Sequence, residues 1–144
     1  MRRLYAESSA VLTWLLQEPG AAAVREALER AEMVVSSDLT LIECDRALMR
    51  ASRTGRVPEH RVARCRTLLE GISAHWVLVR IGREIVERSR RPFPGEPLRT
   101  LDAVHMASAV NARSVVPGLG FLSLDHRVRA SAHELGFQVL PQAA

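Results

Sequence analysis

The chain has 144 residues, 47% of them apolar, which is enough to bury one substantial core and calls for no second domain. No apolar run approaches the roughly 18–20 residues of a helical membrane span, and the Met-Arg-Arg opening leads straight into a strand-like segment instead of a cleavable signal, so a cytoplasmic protein is expected. The formal charge is +4 and every base is an arginine; the missing lysine excludes a GxxxxGK[ST] phosphate loop, a Schiff base and a lysine-containing phosphoacceptor site.

Arg3 to Ala6 reads as a short strand, and Glu7-Ser8-Ser9 supplies cap residues for a helix with Ala10, Val11, Trp14 and Leu15 at helical spacing. After Pro19-Gly20 an amphipathic helix is predicted to run to about Glu32, followed by a strand at Met33-Val34-Val35. Ser36-Ser37-Asp38 is a capping run, and the helix beyond it sets Leu39, Ile42, Ala47 and Leu48 on one side up to Gly55, with Glu43 in its first turns. A helix after Pro58 presents Val62, Cys65, Leu68, Leu69 and Ile72; Trp76 to Val79 returns as a strand and Ile81 to Arg90 as a short helix.

Arg91 to Pro97 holds three prolines and a glycine and must be a loop. Thr100 is placed to cap a helix over Leu101 to Ala112 with Asp102 in its first turn. Gly120 to Leu124 is a candidate strand ending at Asp125; a helix over His126 to Leu135 and a strand over Phe137 to Leu140 complete the chain. Strands alternating with helices predict a single α/β domain over 1–144, three layers with a mostly parallel sheet of about five short strands, whose site lies beyond the carboxyl ends of the strands. Cys44 and Cys65 match no zinc spacing or disulfide framework and read as buried thiols, and Trp14 and Trp76 as core or interface aromatics.

Four acids occupy equivalent places in this scheme: Glu7 and Asp125 just past strand ends, Glu43 and Asp102 in the first turns of helices. Singly, each acid in a helical first turn is accounted for by the helix dipole, worth about 0.3–1 kcal/mol. Together at one end of a sheet they repel one another, and a divalent cation relieves that repulsion. Oxygen donors without a Cys or His pair suit Mg²⁺ or Mn²⁺ better than zinc, and such ions serve in-line attack on a phosphodiester.

The runs Tyr5-Ala6-Glu7-Ser8-Ser9, Ser36-Ser37-Asp38-Leu39-Thr40-Leu41-Ile42-Glu43, Leu101-Asp102-Ala103-Val104-His105-Met106-Ala107 and Leu122-Ser123-Leu124-Asp125-His126 resemble, in order, the four motifs of the PIN-domain family, and specifically of VapC-like toxin ribonucleases. The resemblance implies a Mg²⁺- or Mn²⁺-dependent endoribonuclease, usually a homodimer, blocked by a small VapB-like antitoxin. It carries Glu7, Asp102 and Asp125 over as metal ligands and Glu43 as the carboxylate that orients or deprotonates the attacking water, itself within the metal cluster. Ser9 and Ser123 would support the site by hydrogen bonds. The first motif normally carries Asp, so Glu7 is a departure, and the alternative is a catalytically weakened PIN-fold module that binds antitoxin or RNA without efficient cleavage.

Several residues near these motifs carry blander readings. His105 is assigned a structural place on a packed helix face, His126 a solvated helix start, Asp38 a capping role and Asp45 a surface one. Arg46, Arg50 and Arg53 share a helical stripe beyond Glu43, while Arg90, Arg91 and Arg99 frame the proline loop; either set reads equally as a holder of RNA phosphates or as an ordinary solvated face, with Arg46, Arg50, Arg91 and Arg99 the candidate contacts. A receiver-type phosphoacceptor or phosphatase is disfavoured by the missing lysine and the lack of a DxD strand end.

Overall fold

The computed structural model describes residues 2 to 142, so Met1 of the Met-Arg-Arg opening and the last two residues of the expected 1–144 domain lie outside the described residues. The strands are β1 (Arg2–Ala6), β2 (Ala31–Ser37), β3 (Val77–Val79), β4 (Gly120–Leu122) and β5 (Val139–Leu140). The helices are α1 (Ser8–Leu16), α2 (Ala21–Arg30), α3 (Asp38–Arg53), α4 (Glu59–Ser73), α5 (Arg83–Ser89), α6 (Thr100–Arg113) and α7 (His126–Glu134). The strands pair in the order β3-β2-β1-β4-β5, every pairing parallel.

Side chains alternate across a strand, so each strand feeds two cores. Leu4, Ala6, Val34, Leu122 and Leu140 point to the face covered by α1 to α4, where they meet Val11, Val24, Leu48 and Leu69. Tyr5, Val35 and Phe121 point to the opposite face, against Ile85, Met106, Val128 and Phe137 from the α5–α7 side. Tyr5 stacks on Phe121 with ring centroids 5.3 Å apart. The result is the three-layer α/β/α arrangement expected from the alternation of strands and helices.

The differences from the expected elements have local causes. The second helix stops at Arg30, and Ala31 and Glu32 belong to β2: Ala31 pairs with Arg2, and Glu32 meets the Arg3 guanidinium at 2.9 Å. Long-range pairing overrides the helical propensity of the Ala/Glu run. Ser36 is a strand residue and not a cap; its hydroxyl donates to the Ala6 carbonyl at 2.6 Å and to Thr40 Oγ1 at 2.8 Å, tying β2 to β1. Ser37 is the cap, accepting from the Leu39 amide at 3.0 Å, and Asp38 begins the helix. Ile42 and Leu68, expected on apolar faces, are exposed. Thr100 is the first residue of α6, whose capping position belongs to Arg99 and receives no side-chain hydrogen bond.

β4 and β5 are shorter than expected, at 120–122 and 139–140, and α5 begins at Arg83 instead of Ile81. The proline loop is held in place from within: Phe93 is buried beneath the Arg88 guanidinium, 3.7 Å from its ring centre, and the exposed Glu96 carboxylate accepts from the Phe93 and Leu98 amides at 3.0 and 2.7 Å. Cys44 and Cys65 are free and buried, and burial pushes both thiols up from their ordinary range. Trp76 is a core residue and Trp14 packs at the edge of the same core. No helix among the described residues is long and apolar enough to cross a membrane.

Candidate active site

In a parallel sheet the helix N-termini collect beyond the carboxyl ends of the strands, and a crevice opens where the strand order reverses. Here that point lies between β1 and β4, the two strands from which the chain winds outward in opposite directions. Glu7 follows β1 and Asp125 follows β4, while Glu43 reaches in from α3 and Asp102 from the first turn of α6. All four line one cavity of about 640 Å³ together with Ser8, Ser9, Arg46, Arg50, Arg99 and an apolar margin that includes Leu12, Ile42 and Leu101. Arg91 stands apart: with Arg90 it lines a neighbouring cavity that shares only Thr100 with the first, so the proline-loop arginines do not line one cavity.

Glu7 is buried, 4% exposed, and folds back over the start of α1. Its Oε2 accepts from the Ser9 amide at 2.8 Å, capping the helix, and its Oε1 accepts from the Ser9 and Ser123 hydroxyls at 2.5 and 2.6 Å. The Ser8 hydroxyl lies 3.1 Å from Glu7 Oε2 but 2.6 Å from Glu43 Oε1, and its single proton goes to the nearer oxygen. Ser9 Oγ in turn accepts from the Leu124 amide, and Ser123 Oγ from the Asp125 amide, at 3.0 and 3.1 Å. The extra methylene of Glu over Asp is what gives this carboxylate the reach to join β1, α1 and the β4–α7 turn. Ser9 and Ser123 are the two hydroxyls that hold the Glu7 carboxylate.

Glu43 Oε1 also lies 2.5 Å from His105 Nε2. Burial pushes the Glu43 carboxyl up, but the hydrogen bonds from His105 and Ser8, with the positive charge of Arg99, outweigh it and hold the group below the ordinary carboxylate range. His105 is therefore buried and satisfied, as expected of a structural residue, and it is also in direct contact with the acidic cluster. It lies one helical turn past Asp102, on the same side of α6.

Arg99, expected to contact RNA phosphates, is instead paired with the acids themselves. Its Nε meets Asp102 Oδ2 at 2.9 Å and a terminal nitrogen meets Asp125 Oδ2 at 2.7 Å, so one guanidinium bridges two of the four acids. Both carboxylates push the Arg99 group up, Asp102 first through its hydrogen bond. Asp125 also caps α7 by accepting from the Arg127 and Val128 amides at 3.0 and 3.2 Å. Among the described residues no group of three His, Cys, Asp or Glu side chains is arranged to hold a metal ion; the oxygens are turned toward serine hydroxyls, amides, His105 and Arg99. As a donor set, carboxylates without a thiolate fit a hard cation, with Arg99 now supplying the positive charge between two of them. His126 is exposed and Asp45 pairs with Arg66 at 3.6 Å on the surface.

Fold and cavity together define a three-layer parallel α/β protein with a carboxylate-lined site at its switch point. Residues 4–134 match the PIN domain, and the chain belongs to the PIN-domain family. It is 32% identical over 141 residues to Ribonuclease VapC46 of Mycobacterium tuberculosis, covering 97% of this chain and 98% of that one. It is 28% identical over 143 residues to Ribonuclease VapC35 of the same species, covering 95% of each. Among solved structures, a toxin–antitoxin complex from Klebsiella pneumoniae superposes with a TM-score of 0.66 at 18% identity, over 98% of this chain and 99% of that one. Mycobacterium tuberculosis VapC20, described as a Sarcin-Ricin loop cleaving toxin, superposes with a TM-score of 0.65 at 11% identity, over 93% of this chain and 95% of that one.

Proposed function

We propose that this chain is a divalent-metal-dependent endoribonuclease, the toxin of a toxin–antitoxin pair. The observation that carries the reading is the convergence of Glu7, Glu43, Asp102 and Asp125 on one cavity from four places in the sequence, supported by relatives named as ribonucleases over almost the whole chain. The same names favour an enzyme over a module that only binds.

Asp102, Asp125 and Glu43 are the ligand candidates with the simplest route to a Mg²⁺ or Mn²⁺ ion, since Arg99 is an exposed counter-ion able to swing away from the two aspartates. Glu7 would help hold the ion if it gave up one of its serine donors. When bound, such an ion supplies Lewis-acid neutralisation of charge on the phosphodiester and a lowered pKa for a water. RNA docks by its phosphates along Arg46 and Arg50, with Arg99 available once it leaves the aspartates and Arg91 reaching only the flanking strand.

Glu43, held below the ordinary carboxylate range, is ionised at neutral pH and accepts the proton of the attacking water. The water oxygen bonds to phosphorus as the P–O3′ bond breaks, the departing 3′ oxygen takes a proton from solvent, and a 5′-phosphate and 3′-hydroxyl leave. The apolar margin at Leu12, Ile42 and Leu101 beside the acids suits a small antitoxin segment that covers the cavity, and a homodimer and a cytoplasmic location complete the proposal. Replacing Asp102 with Asn should abolish Mn²⁺-dependent RNA cleavage while thermal unfolding remains cooperative; a folded variant that cleaves as fast as the parent would refute the site.

A further inference from the structure

A buried imidazole must have partners for both nitrogens, and the partners it finds fix what it does. His105 is 1% exposed and Tyr5 is fully buried. The Tyr5 hydroxyl lies 2.8 Å from His105 Nδ1, and His105 Nε2 lies 2.5 Å from Glu43 Oε1 and 3.1 Å from Ser8 Oγ. A phenol carries its proton at neutral pH, and the only acceptor the Tyr5 hydroxyl meets on this ring is Nδ1, so it donates there. Nε2 then carries the imidazole proton, and the acceptor facing it is the Glu43 carboxylate. Three elements are linked in one file: β1 through Tyr5, α6 through His105 and α3 through Glu43.

From this file we infer that His105, oriented by Tyr5, is a positioning residue that fixes the carboxylate of Glu43 for proton transfer. The inference rests on the reading of Glu43 as the group that takes the proton. A glutamate reaching from a helix into an open cavity has several rotamers, and only some present an oxygen to the water. Here Oε1 is held from two sides, by His105 and by Ser8, leaving Oε2 without a hydrogen bond among the described residues and directed by the geometry of its partner oxygen. Holding a base within a few tenths of an ångström of its working position is what preorganised sites require. His105 touches neither substrate nor the reacting atoms in this scheme; its effect passes through Glu43.

The test uses the full chain with Mn²⁺ and a fluorophore–quencher RNA pool of randomised sequence. His105→Ala should lower kcat about ten- to a hundredfold with KM unchanged, a part of the 10²–10⁴ that a positioned base contributes. His105→Gln places an amide N–H close to the position of Nε2 and should recover most of that loss, and Tyr5→Phe should fall between. In a Glu43→Gln background, His105→Ala should cost less than about twofold more, because the positioned group is already gone. Losses that multiply in the double variant, or a His105→Gln protein that unfolds like the parent yet remains as slow as His105→Ala, would overturn the inference. Nitrogen-15 spectra of the imidazole give a readout free of catalysis: Nδ1 unprotonated, Nε2 protonated, and the Nε2 proton shifted by Glu43→Gln. If that signal ignores Glu43→Gln, the positioning role fails whatever the cleavage data show; if it responds while Asp102→Asn leaves cleavage unchanged, only the nuclease site fails.

Discussion

Replacing Glu7 with alanine separates a residue kept for chemistry from one that also holds the fold. In the structure the substitution strands two donors. The Ser9 amide at the start of α1 loses its cap, about 1 kcal/mol. Of the two hydroxyls on Oε1, Ser9 can turn to Ser123 Oγ, 3.3 Å away, which leaves the Ser123 proton without an acceptor in a fully buried position, at about 1–3 kcal/mol. Ser8 keeps Glu43 and loses nothing. Relief of repulsion among the acids works in the opposite direction, so a net destabilisation of about 2–3 kcal/mol is expected, or a fall in Tm of roughly 5–10 °C for a domain of this size. Calorimetric or urea unfolding of Glu7→Ala beside the parent, both without added metal, gives the number. If the alanine variant proved as stable as the parent or more so, the carboxylate would be an electrostatic burden retained for chemistry, and the account of Glu7 as a hub joining β1, α1 and the β4–α7 turn would be wrong. Glu7→Asp, which keeps the cap but withdraws from Ser123, should lose about half as much stability and some activity; a large gain in cleavage instead would mark Glu7 as a degenerate ligand.

Removing Arg99 frees two aspartates, Asp102 buried and Asp125 half-buried, from pairs whose arginine end is exposed and which are worth about 0.2–1 kcal/mol each, so Arg99→Gln should bind Mn²⁺ about two- to tenfold more tightly in a calorimetric titration; weaker binding would mean that Arg99 assists the metal instead of substituting for it. Arg46→Gln and Arg50→Gln should raise KM for RNA, leave kcat nearly unchanged and flatten the salt dependence of binding by about one phosphate contact each; unchanged salt dependence would remove these arginines from the RNA path. Glu96 is held below the ordinary value of 4.5 by the Phe93 and Leu98 amides. A carboxyl lowered in the folded state contributes stability above its unfolded pKa and loses it as pH falls through the folded one, so the two amide resonances should move together in acid, below that ordinary value. Independent midpoints would dissolve the assignment of this loop tie.

Much of the site was legible because its signals are local. Glu7, Glu43, Asp102 and Asp125 each sit next to a strand end or helix start that caps, prolines and apolar periodicity mark within a few residues, and a parallel sheet sends all such places to one edge. The family motifs lie in those same short runs. Elements whose bounds depend on a distant partner were read less well: Ala31 and Glu32 look helical until Arg2 and Arg3 pair with them, and Ile42 looks like a core residue until its helix face turns to the cavity.

Order and spacing along the chain are set by side-chain chemistry acting over one or two turns, which is why the α/β class and the placement of the four acids at one edge of the sheet could be read directly. Partnership between groups 35, 62 and 100 residues apart is not encoded at that range. It appears when β1 is inserted between β2 and β4, bringing Ser8, Glu43, His105 and Tyr5 into one hydrogen-bonded file and Arg99 between two aspartates. Hydrogen bonds require alignment within a few tenths of an ångström, and only the packing of both helical layers against the sheet supplies that alignment.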